Sequence, residues 1–271
     1  MELLRPSSLD ELDGGVFVAG GTEVVPLLRD GILQTTSLVD VRAIVPRGVR
    51  DGRIGAGTTL AELESAQVPD ALREACRLAA SPQLRRMGTV GGNLLQSTRC
   101  WYWRLRYPCR LHGGDRCHAA EGEHREHAIF ANDFCASAHP SDVAAALLAL
   151  DARLHTSRRN LPLAALYRLP DEADRRTTTL EPGEAILEIE VPPAEASVYL
   201  KAMDRRRWSF PQVGVAAART GARTRIAFAG VAPIPWLLDG ETVDAATPLP
   251  RTAWKVDVAR ALLRRALAEL G

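Results

Sequence analysis

The sequence predicts an α+β protein that opens with a small βαβ unit and closes with a separate antiparallel α+β unit. Three observations carry this: a strand that runs through a glycine turn into a helix near the N-terminus, helical stretches on either side of a long irregular cysteine-bearing segment, and a late series of alternating strands closed by an amphipathic helix. The expected divisions are residues 1–52, 53–168 and 169–271, with the irregular segment at about 98–138 inserted in the second.

Val16 to Gly20 is a short apolar run that enters Gly20-Gly21-Thr22, and Val24, Leu27 and Leu28 follow at helical spacing. Thr22 is expected to cap this helix, and Pro26 falls in its first turn, where a missing N–H costs little. After the break at Asp30-Gly31, a second strand from Ser37 to Val41 completes a small βαβ unit. Ile54-Gly55-Ala56-Gly57-Thr58-Thr59 then opens a helix with Leu60 and Leu63 inward. Pro69 to Ala80 forms another, with Leu72, Cys76 and Ala79 on one face, which makes Cys76 a core residue. Residues 98–138 lose all periodicity and are rich in Arg, His, Gly and Cys; long irregular stretches inside compact domains are usually functional.

Regular structure resumes at Pro140-Ser141-Asp142, a helix start, with Val143, Leu147, Leu150 and Leu154 as one buried stripe. Beyond Pro170 an acidic, Thr-rich loop leads to strands at Ala185–Val191, Ser197–Ala202, Gln212–Ala218 and Thr224–Val231, expected to form a separate antiparallel unit. Ala259, Leu263, Ala266 and Leu270 give the closing helix one apolar face.

Composition narrows the function. With 34 Lys and Arg against 33 Asp and Glu, the chain lacks the electrostatic footprint of a nucleic-acid or anionic-membrane binder. Met-Glu-Leu-Leu-Arg-Pro is followed by no apolar run and no stretch approaches a membrane span, so a cytoplasmic chain without a cleaved signal is expected. Five cysteines are too few for a disulfide scaffold at this size, and four of them lie between positions 100 and 135, which points to a metal site.

A glycine turn feeding a helix N-terminus suits an anion, because unpaired backbone N–H groups and the helix dipole both face it. Gly20-Gly21-Thr22-Glu23 has this form, although Gly-Gly after a strand is more often only a tight turn. Thr89-Val90-Gly91-Gly92-Asn93 is a second such turn, and Asn93 adds a donor and an acceptor. Neither is G-x-G-x-x-G or a P-loop.

Ala19-Gly20-Gly21-Thr22-Glu23, Ser81-Pro82-Gln83-Leu84-Arg85 and Thr89-Val90-Gly91-Gly92-Asn93, in this order and spacing, resemble the flavin-binding subunits of the xanthine dehydrogenase and carbon monoxide dehydrogenase family. The resemblance continues through His139-Pro140-Ser141-Asp142, Ile186-Leu187-Glu188-Ile189, Lys201 and Gly230-Val231-Ala232-Pro233, nearly the whole chain. It implies a vanillyl-alcohol-oxidase-type (PCMH-like) FAD-binding fold of two α/β subdomains beside a C-terminal α+β domain. It also implies that Val18, Ala19, Gly20, Gly21, Thr22 and Glu23, with Thr89, Gly91, Gly92 and Asn93, hold the FAD pyrophosphate and its surroundings, while Asp142, Ile186 and Lys201 add flavin contacts. Read without the family, those last three are an N-cap carboxylate, a strand residue and a solvated lysine. Glu23 stands where many relatives have Asp.

Cys100, Cys109, Cys117 and Cys135 form C-x8-C-x7-C-x17-C. Four thiolates suit tetrahedral zinc or an iron–sulfur cluster, and spacing alone leaves both open. Trp101, Tyr102 and Trp103 could shield a cluster and Arg99, Arg104, Arg110 and Arg116 offset its charge; His112, His118, His124 and His127 are rival ligands without a paired spacing. Thr98-Arg99-Cys100-Trp101-Tyr102 and Glu121-Gly122 resemble the branch whose flavin subunit carries a [4Fe–4S] insert, as in three-subunit bacterial aldehyde oxidoreductases. The resemblance therefore implies an oxidoreductase subunit with FAD and a [4Fe–4S] cluster that passes electrons between a molybdenum-cofactor subunit, a [2Fe–2S] subunit and an external acceptor. Two rivals stand beside it: a zinc-stapled assembly module without flavin, and a flavoenzyme acting alone on a small molecule.

Overall fold

In the computed structural model, the described residues are 1–12, 14–205 and 208–271, and they fold around three sheets. The first holds β1 (Glu2–Leu4), β2 (Val16–Val18) and β3 (Ser37–Asp40) in the parallel order β1-β3-β2, with α1 (Val24–Arg29) as the crossover. All four residues of the central strand β3 are buried, as a strand covered on both faces must be. Thr22 does not cap α1. Gly21 turns the chain at φ +71°, the helix begins one residue later with Glu23 at the cap position, and the Glu23 side chain is directed elsewhere.

The second sheet is antiparallel, in the order β4 (Val49–Arg50), β5 (Arg53–Gly55), β8 (Ile186–Glu190), β6 (Arg153–Thr156), β7 (Asn160–Pro162). Its helices are α2 (Leu60–Ser65), α3 (Asp70–Leu78), α4 (Pro82–Met87), α5 (Val90–Leu94) and α8 (Asp142–Ala149). Thr59 and Glu62 form a capping box at the start of α2, each side chain bonding the other's backbone N–H. The strand expected to open the C-terminal unit lies here instead: Ile189 of β8 stands opposite Ile54 on one side and Leu154 on the other. Alternation identifies a strand but not the sheet that receives it.

Helix α8 starts at Ser141, whose Oγ accepts from the Ala144 N–H at 2.9 Å. Its expected single stripe is too modest, because all eight residues are buried between α3 and the third sheet, and Leu154 belongs to β6 after a turn at Asp151 (φ +55°). A helix apolar all round is a core helix, and α8 is the element shared by the second and third layers.

The third sheet is β12 (Trp236–Leu237), β11 (Arg223–Ala229), β10 (Val213–Thr220), β9 (Ala196–Ala202), all antiparallel, and α9 (Trp254–Leu270) crosses β9 and β10. Ala259, Leu263, Ala266 and Leu270 are buried as expected. Residues 98–138 contain only two short α-helices, α6 (Trp101–Arg104) and α7 (His118–Glu121), and one 3-10 turn. They are fastened to the C-terminal layer where the N–H groups of Ile129 and Phe130 share the Val231 carbonyl and the Thr247 N–H bonds the Ile129 carbonyl.

Candidate functional site

The two glycine turns meet. A Cβ on Gly20 would fall inside the Met87 carbonyl, and one on Gly91 would crowd the Ala56 side chain, so glycine lets the first turn close on α4 and α5 close on the segment after β5. The turns differ in their donors. In the second, the N–H groups of Val90, Gly91, Gly92 and Asn93 bond Thr58 O, Ala56 O, Thr89 Oγ1 and Thr89 O at 2.8–3.2 Å. In the first, the N–H groups of Gly21, Thr22 and Glu23 have no acceptor among the described residues. The first turn therefore offers the free backbone donors for an anion, whereas the second contributes space and side chains.

Between the turns lies a cleft of about 350 Å³ lined by Ala19, Gly20, Gly21, Thr22, Glu23, Thr89, Gly91, Gly92 and Ile186. Phe17, Val41, Val45 and Leu95 form an apolar wall, and Arg42, Arg47 and Arg86 stand around it. These seven escape sequence reading, because single apolar and basic residues carry no motif; only Val41, at the carboxyl end of a buried parallel strand, sits where such sheets usually bind ligands. A smaller recess of about 100 Å³ shares Thr22, Glu23, Thr89 and Gly92 and adds Asn93, Gln96, Arg99, Asp142 and Phe210.

Val18 and Lys201 line neither. The Lys201 side chain is fully buried, with Nζ 2.8 Å from Asp142 Oδ2 and 3.1 Å from the Leu78 carbonyl, while the Tyr199 hydroxyl donates to the other Asp142 oxygen. Burial raises the Asp142 carboxyl above its ordinary value, and Lys201 and Tyr199 oppose the shift. Lys201 thus reaches the recess only through Asp142 and is not a solvated lysine. Glu23 also turns from the cleft: Oε1 lies 2.6 Å from Arg104 Nη2 and 3.2 Å from the Ser97 N–H, and Oε2 lies 2.8 Å from Arg99 Nη2.

All four cysteines of the insert line one small cavity, with Tyr102, Trp103, His118 and Phe134. Among the described residues no three His, Cys, Asp or Glu side chains are grouped as a ready ligand set for one metal ion. Burial pushes the Cys100 thiol up to about 12 and that of Cys135 up to about 11, so a cationic partner is needed to hold them as thiolates. Of the rival histidines, His112 stacks on Trp103 and His124 Nδ1 bonds the Ala119 and Gly122 carbonyls, whereas His118 stacks on Tyr102 and lines the cysteine cavity with its Nε2 unpartnered among the described residues. His127 Nε2 lies 3.2 Å from Cys100 Sγ, and burial pushes its imidazole down to about 4. Arg110 clasps the carbonyls of Asp133 and Phe134 at 2.9 and 3.0 Å, and Arg175 those of Arg110 and Gly114 at 2.6 and 2.7 Å, which holds the loops in place. Cys76 is fully buried in α3, apart from the insert.

Residues 3–194 match the family described as the FAD-binding domain in molybdopterin dehydrogenase. The chain is 34% identical over 252 residues to the aldehyde oxidoreductase FAD-binding subunit PaoB of Escherichia coli, covering 86% of this chain and 79% of that one. It is 35% identical over 87 residues to the carbon monoxide dehydrogenase medium chain of Hydrogenophaga pseudoflava, covering 29% and 30% of the two chains. In fold it matches the solved carbon monoxide dehydrogenase of that organism with a TM-score of 0.69 at 24% identity, over 100% of this chain and 96% of the other. Quinoline 2-oxidoreductase from Pseudomonas putida matches with a TM-score of 0.63 at 17% identity, over 100% and 96%. No helix among the described residues is long and apolar enough to cross a membrane. The chain belongs to the family of FAD-binding domains of the molybdopterin dehydrogenases.

Proposed function

We propose that the chain is the FAD-binding, electron-transferring subunit of a molybdenum hydroxylase and that its insert carries a [4Fe–4S] cluster. The observation that carries the flavin assignment is the convergence of the Gly20-Gly21 and Gly91-Gly92 turns on one cleft that apolar side chains also line. The free N–H groups of Gly21, Thr22 and Glu23 suit the diphosphate, Phe17, Val41 and Val45 suit a flat hydrophobic ring system, and the polar recess at Asn93 and Asp142 suits the heteroatom edge of a flavin. Bound there, FAD supplies the exchange between one-electron and two-electron carriers. No general acid, base or nucleophile is required of this chain, in keeping with substrate oxidation in a molybdenum-cofactor subunit and a [2Fe–2S] subunit between the two.

Cys100, Cys109, Cys117 and Cys135 are assigned to the cluster on the cavity they share and on its aromatic lining by Tyr102, Trp103 and Phe134. The test is an absorption spectrum of anaerobically purified protein with iron, sulfide, zinc and flavin analysis. Flavin with four irons and four sulfides per chain, about, is expected from the cluster's composition; a colourless zinc protein overturns both assignments.

A further inference from the structure

We propose that Glu23 is a positioning residue that couples the flavin cleft to the cysteine insert, so that loading of one site strengthens the other. The inference rests on the assignment of flavin to the cleft and of a metal cluster to the insert. Its observation is a bridge between them. Glu23 lies in the first glycine turn, immediately after the two N–H groups left free at Gly21 and Thr22, and it is largely buried. Its carboxylate is gripped by Arg99 at 2.8 Å and Arg104 at 2.6 Å, five residues apart, Arg104 being the last residue of α6 and Arg99 standing just before Cys100, that helix's N-cap residue.

The grip is continuous with the cysteine. Arg104 Nε donates to the Thr98 carbonyl at 2.9 Å, the Thr98 hydroxyl accepts from the Cys100 N–H at 3.1 Å, and the Ser97 N–H reaches Glu23 directly at 3.2 Å. Arg99 extends the bridge to the other side, with its guanidinium 4.8 Å above the Phe210 ring and Nη2 3.1 Å from Gln96 Oε1, both residues of the recess beside the cleft. Two cations on one buried carboxylate leave a surplus positive charge at the junction. One orphaned polar atom, Arg99 Nε, marks it as a place where the chain has not satisfied itself.

The physical consequence follows from geometry. When ligation holds Cys100, the Ser97–Arg104 segment is held, and with it the carboxylate that orients the first turn. When Cys100 is released, both arginines and the turn are released together. A shared, partly buried ion network of this kind produces coupling between sites, and linkage makes the coupling reciprocal.

The experiment is a double-mutant cycle on the full chain, with FAD dissociation constants from flavin fluorescence titration and iron content measured in parallel. Cys109→Ser, which disturbs the insert without touching the bridge, is expected to weaken FAD binding by about fivefold or more. In a Glu23→Gln background the same change is expected to weaken it by less than about twofold. Equal weakening in both backgrounds overturns the coupling. Where Glu23→Gln fails to fold by circular dichroism, Arg104→Gln replaces it, since it removes one of the two ion pairs and is expected to lower the coupling; unchanged coupling there overturns the proposal too. A wild-type chain that holds no flavin or no iron overturns the functional assignment itself, and is distinguished by its absorption spectrum before any variant is compared.

Discussion

The α-carbon of Gly20 lies against the carbonyl of Met87, with no room for a side chain between them. Gly20→Ala must push the first glycine turn away from α4, which opens the cleft and disrupts local packing. Overpacking of this kind costs about 1–3 kcal/mol. Urea denaturation should show that loss, and the purified variant should hold less flavin than the wild type; full flavin occupancy at unchanged stability rules out the cleft as drawn.

Lys201→Met leaves the Asp142 carboxylate buried with only Tyr199 for a partner. Removing one member of a buried ion pair costs about 3–5 kcal/mol. The double variant Asp142→Asn, Lys201→Met is expected to recover part of that loss, because no lone charge remains. Chemical denaturation of the three proteins decides it, and equal stabilities for single variant and wild type show that Lys201 is not committed to Asp142.

Lys255 donates from α9 to the carbonyls of Glu126 at 3.1 Å, His127 at 2.8 Å and Gly230, and burial pushes its ammonium from 10.5 down to about 7. Between those two pH values the unfolded chain binds a proton that the folded chain does not, so this residue makes stability rise as pH rises through the window, by at most about 1.4 kcal/mol per pH unit. The cost of the buried charge is fully present below pH 7. Unfolding free energies from pH 6 to 9.5 should therefore climb more steeply in the wild type than in Lys255→Met; parallel profiles refute the buried-charge account.

The two classes of cysteine should behave oppositely. Cys109→Ser is expected to abolish iron-dependent visible absorbance and, in the assembled complex, to slow turnover if the cluster relays electrons; turnover that persists unchanged without iron makes the cluster structural. Cys76→Ala is expected to keep its iron and to lose on the order of 1–2 kcal/mol of stability, since it only empties space in a packed helix face. Iron analysis alongside thermal unfolding separates the two.

Much of this molecule was legible in its residue order. The strand–turn–helix at Val16 to Leu28, the inward Leu60 and Leu63, the core position of Cys76, the buried face of α9 and the gathering of four cysteines in one irregular insert are all local statements, set by periodicity, glycine placement and capping within a few residues. The short strands β1, β4, β6, β7 and β12 were not, because two to four residues carry too little pattern to stand out.

Tertiary structure decided the rest. It placed β8 in the second sheet, buried α8 on every side, turned the second glycine loop's N–H groups inward, and sent Glu23 and Lys201 into ion pairs with Arg99, Arg104 and Asp142. A side chain's partner depends on what other segments bring within a few ångströms of it. Sequence by itself determined which residues could bend, bury or ligate; only the packed chain decided where each such capacity is used.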